Sequence, residues 1–315
     1  MLSVIVPVFN SAETLSQCLS SILIQSYKDI EIIIVNDGSA DNSIDIVNYY
    51  IEKYKDQIKY FELTENKGIG NARNIGLENA AGEFITFVDA DDWIDSNLYQ
   101  SAINAMTQYG AEIAVFGIKN EYDNYINSKY RYMYKNINII DNDAALRLLC
   151  RTYANDIYIS PIVNQKIYKT HFLKETRLSF DCKSYYYDDE FTFLLFLNEC
   201  NVVLSNEGFY HYYQKPTSIM HTFSKRHISD KIYTFKNIFS FLVQKNLYSH
   251  HKKDFWAFFD KSFRTLFDTL FSVEPSIDTQ KKYLMYFLES FSQEFNYKDY
   301  IEYLDINRIK SLWKL

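Results

Sequence analysis

Apolar and polar positions alternate in blocks over the first 120 residues. Strands are predicted by runs of apolar and β-branched residues at 2–9, 30–35, 58–63, 84–88 and 113–119. Between these runs apolar residues recur at helical spacing, as in Leu15, Leu19 and Ile22. Strands that alternate with helices and are apolar on both faces are typical of a parallel sheet covered on both sides. The expected fold class is α/β, with a doubly wound, mostly parallel sheet.

The pattern changes after about residue 120. Residues 122–140 are polar and tyrosine-rich without a clear period, which indicates an irregular or edge-strand segment, and a helical pattern follows at 142–150. The last strands are predicted at 202–205 and 208–213, and beyond Ser229 the sequence is helical and rich in aromatic residues. We therefore expect a boundary near 222–229. It divides the chain into residues 1–225 and a helical C-terminal region, 226–315.

Three carboxylates, Asp89, Asp91 and Asp92, directly follow the strand at 84–88. In open α/β sheets ligands bind beyond the carboxyl ends of such strands. Carboxylates this close repel one another unless a cation lies between them, and a divalent cation that carries a phosphorylated ligand meets that need. The alternative is that they cap the helix predicted near Ser96, but one Asp is enough for a cap. We favour metal or phosphate chemistry.

Two further segments carry polar chemistry. Asp37 follows the second strand, and residues 65–74 form a glycine-bearing loop that opens a helix. Glycines let a main chain approach a ligand closely, and Lys67 and Arg73 are placed to meet phosphate. Because the glycine spacing is neither that of a Walker loop nor that of a dinucleotide fingerprint, the loop alone is weak evidence for a nucleotide site.

Composition narrows the function classes. The net charge of −7 over 315 residues gives no basic surface for nucleic acid. The four cysteines lack paired spacing, so neither a zinc site nor a disulfide framework is expected. The sequence enters a strand at once without a signal-like segment, and no apolar run is long enough to span a bilayer. We expect a cytoplasmic protein, with peripheral contact at the cytoplasmic face of the membrane as an alternative.

Five ordered motifs resemble those of the family-2 glycosyltransferases. They are residues 6–10 (VPVFN), 35–39 (VNDGS), 66–74 (NKG followed by ARN), 88–92 (VDADD) and 188–191 (DDEF). The resemblance covers about residues 1–220 and implies a nucleotide-sugar-binding GT-A fold, so that residues 1–225 would be the catalytic domain. It further implies an inverting, metal-dependent transferase of the hexosyltransferase type that uses a UDP-sugar and Mn²⁺ or Mg²⁺. The nearest likeness is to bacterial enzymes that build capsule, lipopolysaccharide or other cell-surface glycans.

The resemblance also implies roles for particular residues. The nucleotide-sugar site would be formed by Pro7, Val8, Phe9, Asp37, Asn66, Arg73, Asp89 and Ala90. In this set Asp37 would accept a hydrogen bond from the uracil N3 imide, and Asp89 would contact the ribose. Arg73, with Lys67 as a weaker candidate, would assist the pyrophosphate or pack near the uracil. Asp91, the second acid of the Asp-x-Asp pattern, would coordinate the cation, and Asp92 is a possible helper.

An inverting transfer also needs a base that deprotonates the acceptor hydroxyl. The family carries this base in an acidic motif before an apolar helix, and we assign it to Asp189, with Asp188 as the second choice. His221 is a further candidate metal ligand and His211 a weaker one, although a lone His is more often satisfied by ordinary hydrogen bonds. Lys215 stands near the place where related enzymes often carry an Arg that closes over the donor phosphates.

The aromatic C-terminal region has three interpretations. Its rings and lysines would lie on a membrane surface near a lipid-linked acceptor, pair two subunits in a homo-oligomer, or pack on the catalytic domain. We favour packing or self-association, because Asp254, Asp260 and Asp268 dilute the basic face that anionic lipid attracts. For the whole chain, the alternatives to a glycosyltransferase are a sugar nucleotidyltransferase and a non-catalytic module that binds nucleotide sugars or glycans.

Overall fold

The computed structural model describes residues 1–122, 127–132, 138–152, 157–214 and 223–303, which form two compact units. The sheet unit contains the described residues of 1–145, 157–182 and 187–214. The helical unit contains 146–152, 183–186 and 223–303. The predicted boundary at 222–229 falls partly on residues outside the described ranges, and a catalytic domain that ends at 225 stays a prediction. None of the described helices has the length and apolar character needed to cross a membrane.

Strands and helices alternate through the first 120 residues, as the apolar pattern predicts. The strands are β1 Leu2–Val8, β2 Ile30–Asn36, β3 Ile58–Glu62, β4 Phe84–Phe87, β5 Trp93–Ile94, β6 Ile113–Tyr122, β7 Asn127–Tyr132, β8 Asn138–Asp141, β9 Lys166–Lys169 and β10 Asn201–Tyr213. The helices are α1 Leu15–Leu23, α2 Ser43–Lys53, α3 Ile69–Asn79, α4 Leu98–Tyr109, α5 Asn142–Cys150, α6 Thr170–Thr176, α7 Tyr187–Leu195, α8 Lys225–Gln244, α9 Tyr248–Val273, α10 Ile277–Glu294 and α11 Tyr297–Tyr303.

All strands of the described residues join one sheet, whose main path has the order β3-β2-β1-β4-β9-β6-β10-β5. On this path β3, β2, β1, β4, β6 and β10 run in one direction, whereas β9 and β5 run against it. β7 and β8 pair antiparallel with β6 and β10 off the path. The prediction of an α/β fold with a mostly parallel sheet and a helical C-terminal region is therefore confirmed.

The sequence pattern did not indicate two of the strands. β9 inserts antiparallel between β4 and β6, and the two-residue β5 pairs with β10. The two last strands predicted at 202–205 and 208–213 are one strand, β10, with an irregularity between Leu204 and Phe209. The segment predicted to be irregular or edge-like contains β7 and β8.

Close packing on β1 sets the position of α3, the helix that carries Arg73 of the candidate site. Val4, Val6, Ile32 and Ile34 are buried in a hydrophobic cluster on one face of the sheet, and α3 packs on the other face, that of Ile5. α3 packs on β1 and β2 at Gly76, where a Cβ would overlap the side chain of Ile5. This glycine lets α3 lie close to the sheet, and that contact sets the position of the side chains α3 carries.

Aromatic side chains fill the interior of the helical unit. Phe235 of α8 and Phe259 and Phe263 of α9 are buried, with the Phe259 ring centroid 5.1 Å from that of Phe235 and 4.4 Å from that of Phe263. Phe291 of α10 lies 5.5 Å from Phe259 by the same measure. At the end of α9, Phe271 is 49% exposed. The helical aromatic pattern of the sequence is thus largely an internal packing surface of this unit.

Candidate active site

The carboxyl ends of β1, β2 and β4 lie side by side at one edge of the sheet. Phe9 follows β1, Asp37 follows β2, and Asp89 comes two residues after β4. Phe9 is 45% exposed, whereas Pro7 and Val8 are buried. The predicted contact of Pro7 and Val8 with a base stays a prediction. The edge presents one accessible ring beside two acids.

Asp37 holds the loop in front of α3. Its two carboxylate oxygens accept main-chain N–H groups from Lys67 at 2.7 Å and Gly68 at 2.8 Å. The neighbouring Gly38 has a φ of 71°, and a Cβ there would lie 2.8 Å from a main-chain carbon of the same loop. A carboxylate has about four lone-pair sites, so Asp37 keeps acceptor capacity. Its predicted bond to uracil, and the contact predicted for the exposed Asn66, stay predictions.

Arg73 lies at the centre of the candidate site. It is carried by α3, and its side chain is 1% exposed. Nη2 donates to Asp89 at 2.7 Å and to Asn164 at 2.9 Å, and Nη1 donates to Asp188 at 3.0 Å. Because the guanidinium presents its N–H groups in a rigid fork, these bonds fix the three partners relative to one another. One buried cation therefore joins the acids after β4 to the first turn of α7, and its predicted role on the pyrophosphate stays a prediction.

Aromatic rings enclose this guanidinium. Its Cζ lies 5.7 Å from the ring centroid of Phe87, 5.6 Å from Phe180 and 5.2 Å from Tyr187. Burial by itself would lower the pKa of the arginine, but Tyr187 and the two bonded carboxylates raise it well above its ordinary value. The group thus stays a cation inside an apolar enclosure, where electrostatic interactions are stronger than in water.

Asp188 has an unusual acidity. Its Oδ1 binds Arg73, and its Oδ2 accepts the main-chain N–H of Val163 at 3.4 Å. Burial raises the pKa of Asp188 to about 6; Arg73 counteracts this rise, and the charge of Asp89 adds to it. The carboxyl therefore takes up a proton at a higher pH than an ordinary Asp does.

Tyr210 of β10 forms a second centre of polar contacts. Its hydroxyl donates to Oδ2 of Asp92 at 2.5 Å and accepts the main-chain N–H of Asp89 at 3.2 Å and the side-chain amide of Asn164 at 2.9 Å. Oδ1 of Asp92 accepts the main-chain N–H of Tyr213 at 2.9 Å. These bonds fasten the acid loop 89–92 to β10.

The acids of this loop have different surroundings. Asp92 is buried, Asp91 is half-buried, and Ala90 between the acids is 4% exposed. Burial, followed by the charges of Asp91 and Asp89, raises the pKa of Asp92 well above its usual range. The helix expected near Ser96 begins at Leu98 without a side-chain cap. The alternative that these acids cap this helix is therefore wrong.

Asp189, the predicted base, is 7% exposed and lies in the first turn of α7 beside Asp188 and Glu190. Carboxylates at a helix N-terminus are stabilised by the helix dipole. The structure thus brings both candidate bases to the helix that Arg73 ties to the acid loop. The choice of Asp189 over Asp188 stays a prediction.

His211 is held by ordinary contacts. Its Nδ1 lies 2.7 Å from Glu121, its Nε2 lies 2.8 Å from Asp95, and its ring stacks on Trp93 at 5.1 Å between centroids. These contacts favour the hydrogen-bonding alternative over a ligand role. His221 and Lys215 lie outside the described residues.

The side-chain atoms that could coordinate a cation fit only one kind of cation site. In the described ranges no group of three His, Cys, Asp or Glu side chains is arranged to hold a metal ion. The acid loop offers carboxylate oxygens, which suit Mg²⁺ or Mn²⁺. Such ions are commonly held by one or two carboxylates and by substrate phosphates. Asp91 and its neighbours fit a cation completed by a diphosphate, and they do not fit a cage of protein ligands.

Two residues of the site carried no recognisable signal in the sequence. Tyr210 is one of several tyrosines in a strand pattern, and Asn164 lies in a segment without a motif. Only the fold shows that both contact the acid loop or Arg73.

Comparisons with known proteins extend these findings. Residues 3–172 match the model of the family described as glycosyl transferase family 2. The chain is 40% identical over 149 residues to glycosyltransferase GlyA of Streptococcus pneumoniae, which is 45% of this chain and 21% of GlyA. It is 28% identical over 218 residues to the poly(ribitol-phosphate) beta-glucosyltransferase of Bacillus spizizenii, which is 68% of this chain and 32% of that protein. The chain thus spans less than a third of the length of these two relatives.

A solved structure agrees with the fold. S. aureus TarS 1-349 in complex with UDP-GlcNAc superposes with a TM-score of 0.73 at 21% sequence identity, covering 99% of this chain and 83% of the other. At this identity the likeness shows the fold alone.

Proposed function

Because the chain belongs to glycosyl transferase family 2, we propose that it transfers a sugar from a UDP-sugar, with inversion, to a hydroxyl group of a glycan or lipid-linked acceptor. The observation that carries this proposal is the buried Arg73, which lies 2.7 Å from Asp89 and 3.0 Å from Asp188. It joins the acids expected to meet the donor to the acids expected to activate the acceptor. The work of this enzyme would be the synthesis of capsule, lipopolysaccharide or a similar cell-surface polysaccharide.

The donor would lie along the carboxyl edge of β1, β2 and β4. Phe9 offers an exposed ring for the base, and Asp37 retains acceptor capacity for the uracil imide. The ribose would meet Asp89. When bound, Mn²⁺ or Mg²⁺ would offset the negative charge of the diphosphate, and Asp91 is the residue we assign to hold it.

The acceptor hydroxyl would be deprotonated by Asp189. Asp188 precedes it on α7, but both oxygens of Asp188 accept hydrogen bonds, one of them from the Arg73 guanidinium. Burial raises the pKa of Asp188 to about 6, but its bond to Arg73 ties this carboxylate to the acid loop. Asp188 therefore serves better to position the helix, and general-base help from Asp189 would contribute ~10² to 10⁴-fold in rate.

The names of the similar proteins support the choice of donor and acceptor. One relative is named as a glucosyltransferase that acts on poly(ribitol phosphate), and the TarS structure contains UDP-GlcNAc. We therefore propose a UDP-hexose or UDP-N-acetylhexosamine as donor and a surface polymer or its lipid-linked precursor as acceptor. The helical unit would serve acceptor binding, self-association or membrane-surface contact, and a cytoplasmic location stays a prediction.

The test is the release of UDP from a panel of UDP-sugars. The chain is incubated with UDP-glucose, UDP-galactose, UDP-GlcNAc and UDP-GalNAc, with MnCl₂ or with EDTA. We expect cation-dependent UDP release from one donor, its loss in Asp91→Asn, and a fall of ~10² to 10⁴-fold in Asp189→Asn with donor affinity retained. Asp29→Asn, a 69% exposed acid bonded to the N-terminal amine, is the matched control and keeps its activity. Absence of any binding of UDP or UDP-sugar would overturn the proposal.

A further inference from the structure

The segment 160–166 is tied down from two sides. The ammonium group of Lys166 donates to the main-chain oxygens of Ser160 and Ile162, both at 2.7 Å. The hydroxyl of Thr192, on α7, donates to the main-chain oxygen of Pro161 at 2.5 Å. The segment is therefore attached to its own following strand, β9, and to the helix that carries the candidate base.

The lysine performs this task in either protonation state. Lys166 is fully buried, and burial lowers its pKa to about 7. An ammonium group has three N–H donors, and the neutral amine keeps two, which is the number of carbonyls it meets. The segment 160–166 thus keeps both bonds on either side of neutral pH.

Asn164 is the residue that this segment presents to the site. Its side chain is 1% exposed; Oδ1 accepts from Arg73 at 2.9 Å, and Nδ2 donates to the hydroxyl of Tyr210 at 2.9 Å. The orientation of the amide follows from its partners, because a guanidinium only donates and the Tyr210 hydroxyl gives its proton to Asp92. Neither an apolar side chain of this size nor an ionised carboxylate offers both an acceptor and a donor.

We infer that Asn164 is a positioning residue for glycosyl transfer: it locks Arg73 to Tyr210 and so sets the acid loop 89–92 against α7. The expected effect of Asn164 on kcat rests on the proposed function. Its expected effect on the structure rests on the contacts alone. Asn164 is not one of the residues assigned to the donor, the cation or the acceptor. It acts through Arg73, which binds Asp89 and Asp188, and through Tyr210, which binds Asp92.

The first experiment replaces the amide at nearly constant volume. In Asn164→Leu the kcat for Mn²⁺-dependent UDP release is expected to fall by ~10 to 100-fold, because displacements of about 1 Å cost up to ~10²-fold in rate. The KM for the UDP-sugar should change less than about threefold, since the loops at Phe9 and Asp37 are untouched. Gln25→Met is the matched control. Gln25 is a fully buried amide that bonds the main chain of Ser21 and Asp95, and its loss should lower stability without lowering kcat.

A double-mutant cycle tests the route of the effect. Tyr210→Phe removes the hydroxyl that Asn164 binds, and Asn164→Leu removes the amide. If the two residues act as one link, the kcat of the double variant should be no more than about threefold below that of the less active single variant. Full multiplication of the two losses would show that Asn164 does not act through Tyr210 and would overturn that part of the inference.

Hydrogen exchange separates this inference from the proposed function. In Asn164→Leu, amide exchange should rise in peptides covering 88–95 and 187–195, whereas in Gln25→Met it should stay unchanged at 187–195. A wild-type chain that releases no UDP from any donor would defeat the proposed function, and exchange alone would then decide the inference. Unchanged exchange at 187–195, or a kcat within twofold of the wild type, would overturn it.

Discussion

The candidate site of the sheet unit and the interior of the helical unit are held together in opposite ways. The candidate site is centred on a buried arginine whose bonds to Asp89, Asp188 and Asn164 each require one partner in one geometry. The interior of the helical unit contains a cluster of rings around Phe259, whose stabilisation comes mainly from buried apolar area, which is non-directional. The difference shows which of the two regions depends on particular side chains. An aromatic core tolerates repacking at constant volume, whereas a buried ionic centre does not tolerate the loss of a single member.

The sharpest test of this comparison is Arg73→Met. The variant leaves the carboxylates of Asp89 and Asp188 without their cation, so we expect a loss of ~3 to 5 kcal/mol in the free energy of unfolding. We also expect UDP release to fall by at least ~10²-fold. Urea unfolding and the release assay measure the two effects. Arg73→Lys keeps a charge but not the fork, and it should restore part of the stability and little of the rate; a fully active Arg73→Met would break the comparison.

The interior of the helical unit should affect stability alone. In Phe259→Ala we expect a loss of ~3 to 5 kcal/mol, because a large ring is removed from a closed core. Phe259→Leu keeps most of the apolar volume and should cost less than about 1.5 kcal/mol. Thermal unfolding measures both. Per folded molecule, kcat should stay within about twofold of the wild type, and a specific loss of rate in Phe259→Leu would contradict this separation.

A pH titration tests the ionic contacts of the candidate site. Because the pKa of Asp188 is raised to about 6, UDP release should decline towards tenfold per pH unit below that value, as Asp188 loses the charge that Arg73 binds. The effect on folding has the opposite sign. The folded chain binds this proton more tightly than the unfolded chain, so the contribution of Asp188 favours folding below its usual pKa and is lost as the pH rises through 6.

The measurement is a rate profile between pH 5 and 8, compared with Asp188→Asn. In that variant the rate should no longer fall near pH 6, and most of the activity should be lost. An unchanged fall of the rate near pH 6 would assign the titration to another group.

The smallest expected effect concerns an ion pair of the same chemical type in the helical unit. Arg264 donates to Asp260 at 2.8 Å, but its side chain is 39% exposed. Such i,i+4 pairs contribute about 0.3 to 0.5 kcal/mol. Arg264→Gln should therefore leave the unfolding midpoint and the rate nearly unchanged. A large destabilisation would show that the helical unit also depends on ionic contacts.

The sequence predicted the elements that rest on long apolar patterns. The strands that end at Asn36 and Phe87 are apolar over most of their length, and acids at their carboxyl ends identified the edge where the candidate site lies. α7 was indicated because its acidic first turn is followed by an apolar run.

The remaining features depend on contacts between distant residues. β9 is as short as β4, but it begins and ends with a lysine and so forms no apolar run, and its antiparallel place in the sheet has no sequence sign. Arg73 was noticed as a cation for phosphate, but its bonds to Asp89 and Asp188 span 16 and 115 positions. Asn164 is an ordinary polar residue until the fold places it between Arg73 and Tyr210.

The insertion of β9 between β4 and β6 affects how the protein folds during synthesis and where it can be truncated. β4 and β6 are both present once residue 122 has been synthesised, yet neither pairs with the other, and both pair with a strand that ends at Lys169. Until that point on the ribosome, two inner strands expose open edges that other chains can join. Truncated chains intended to keep the proposed donor site at β1, β2 and β4 should therefore extend beyond residue 169. Shorter ones are expected to aggregate.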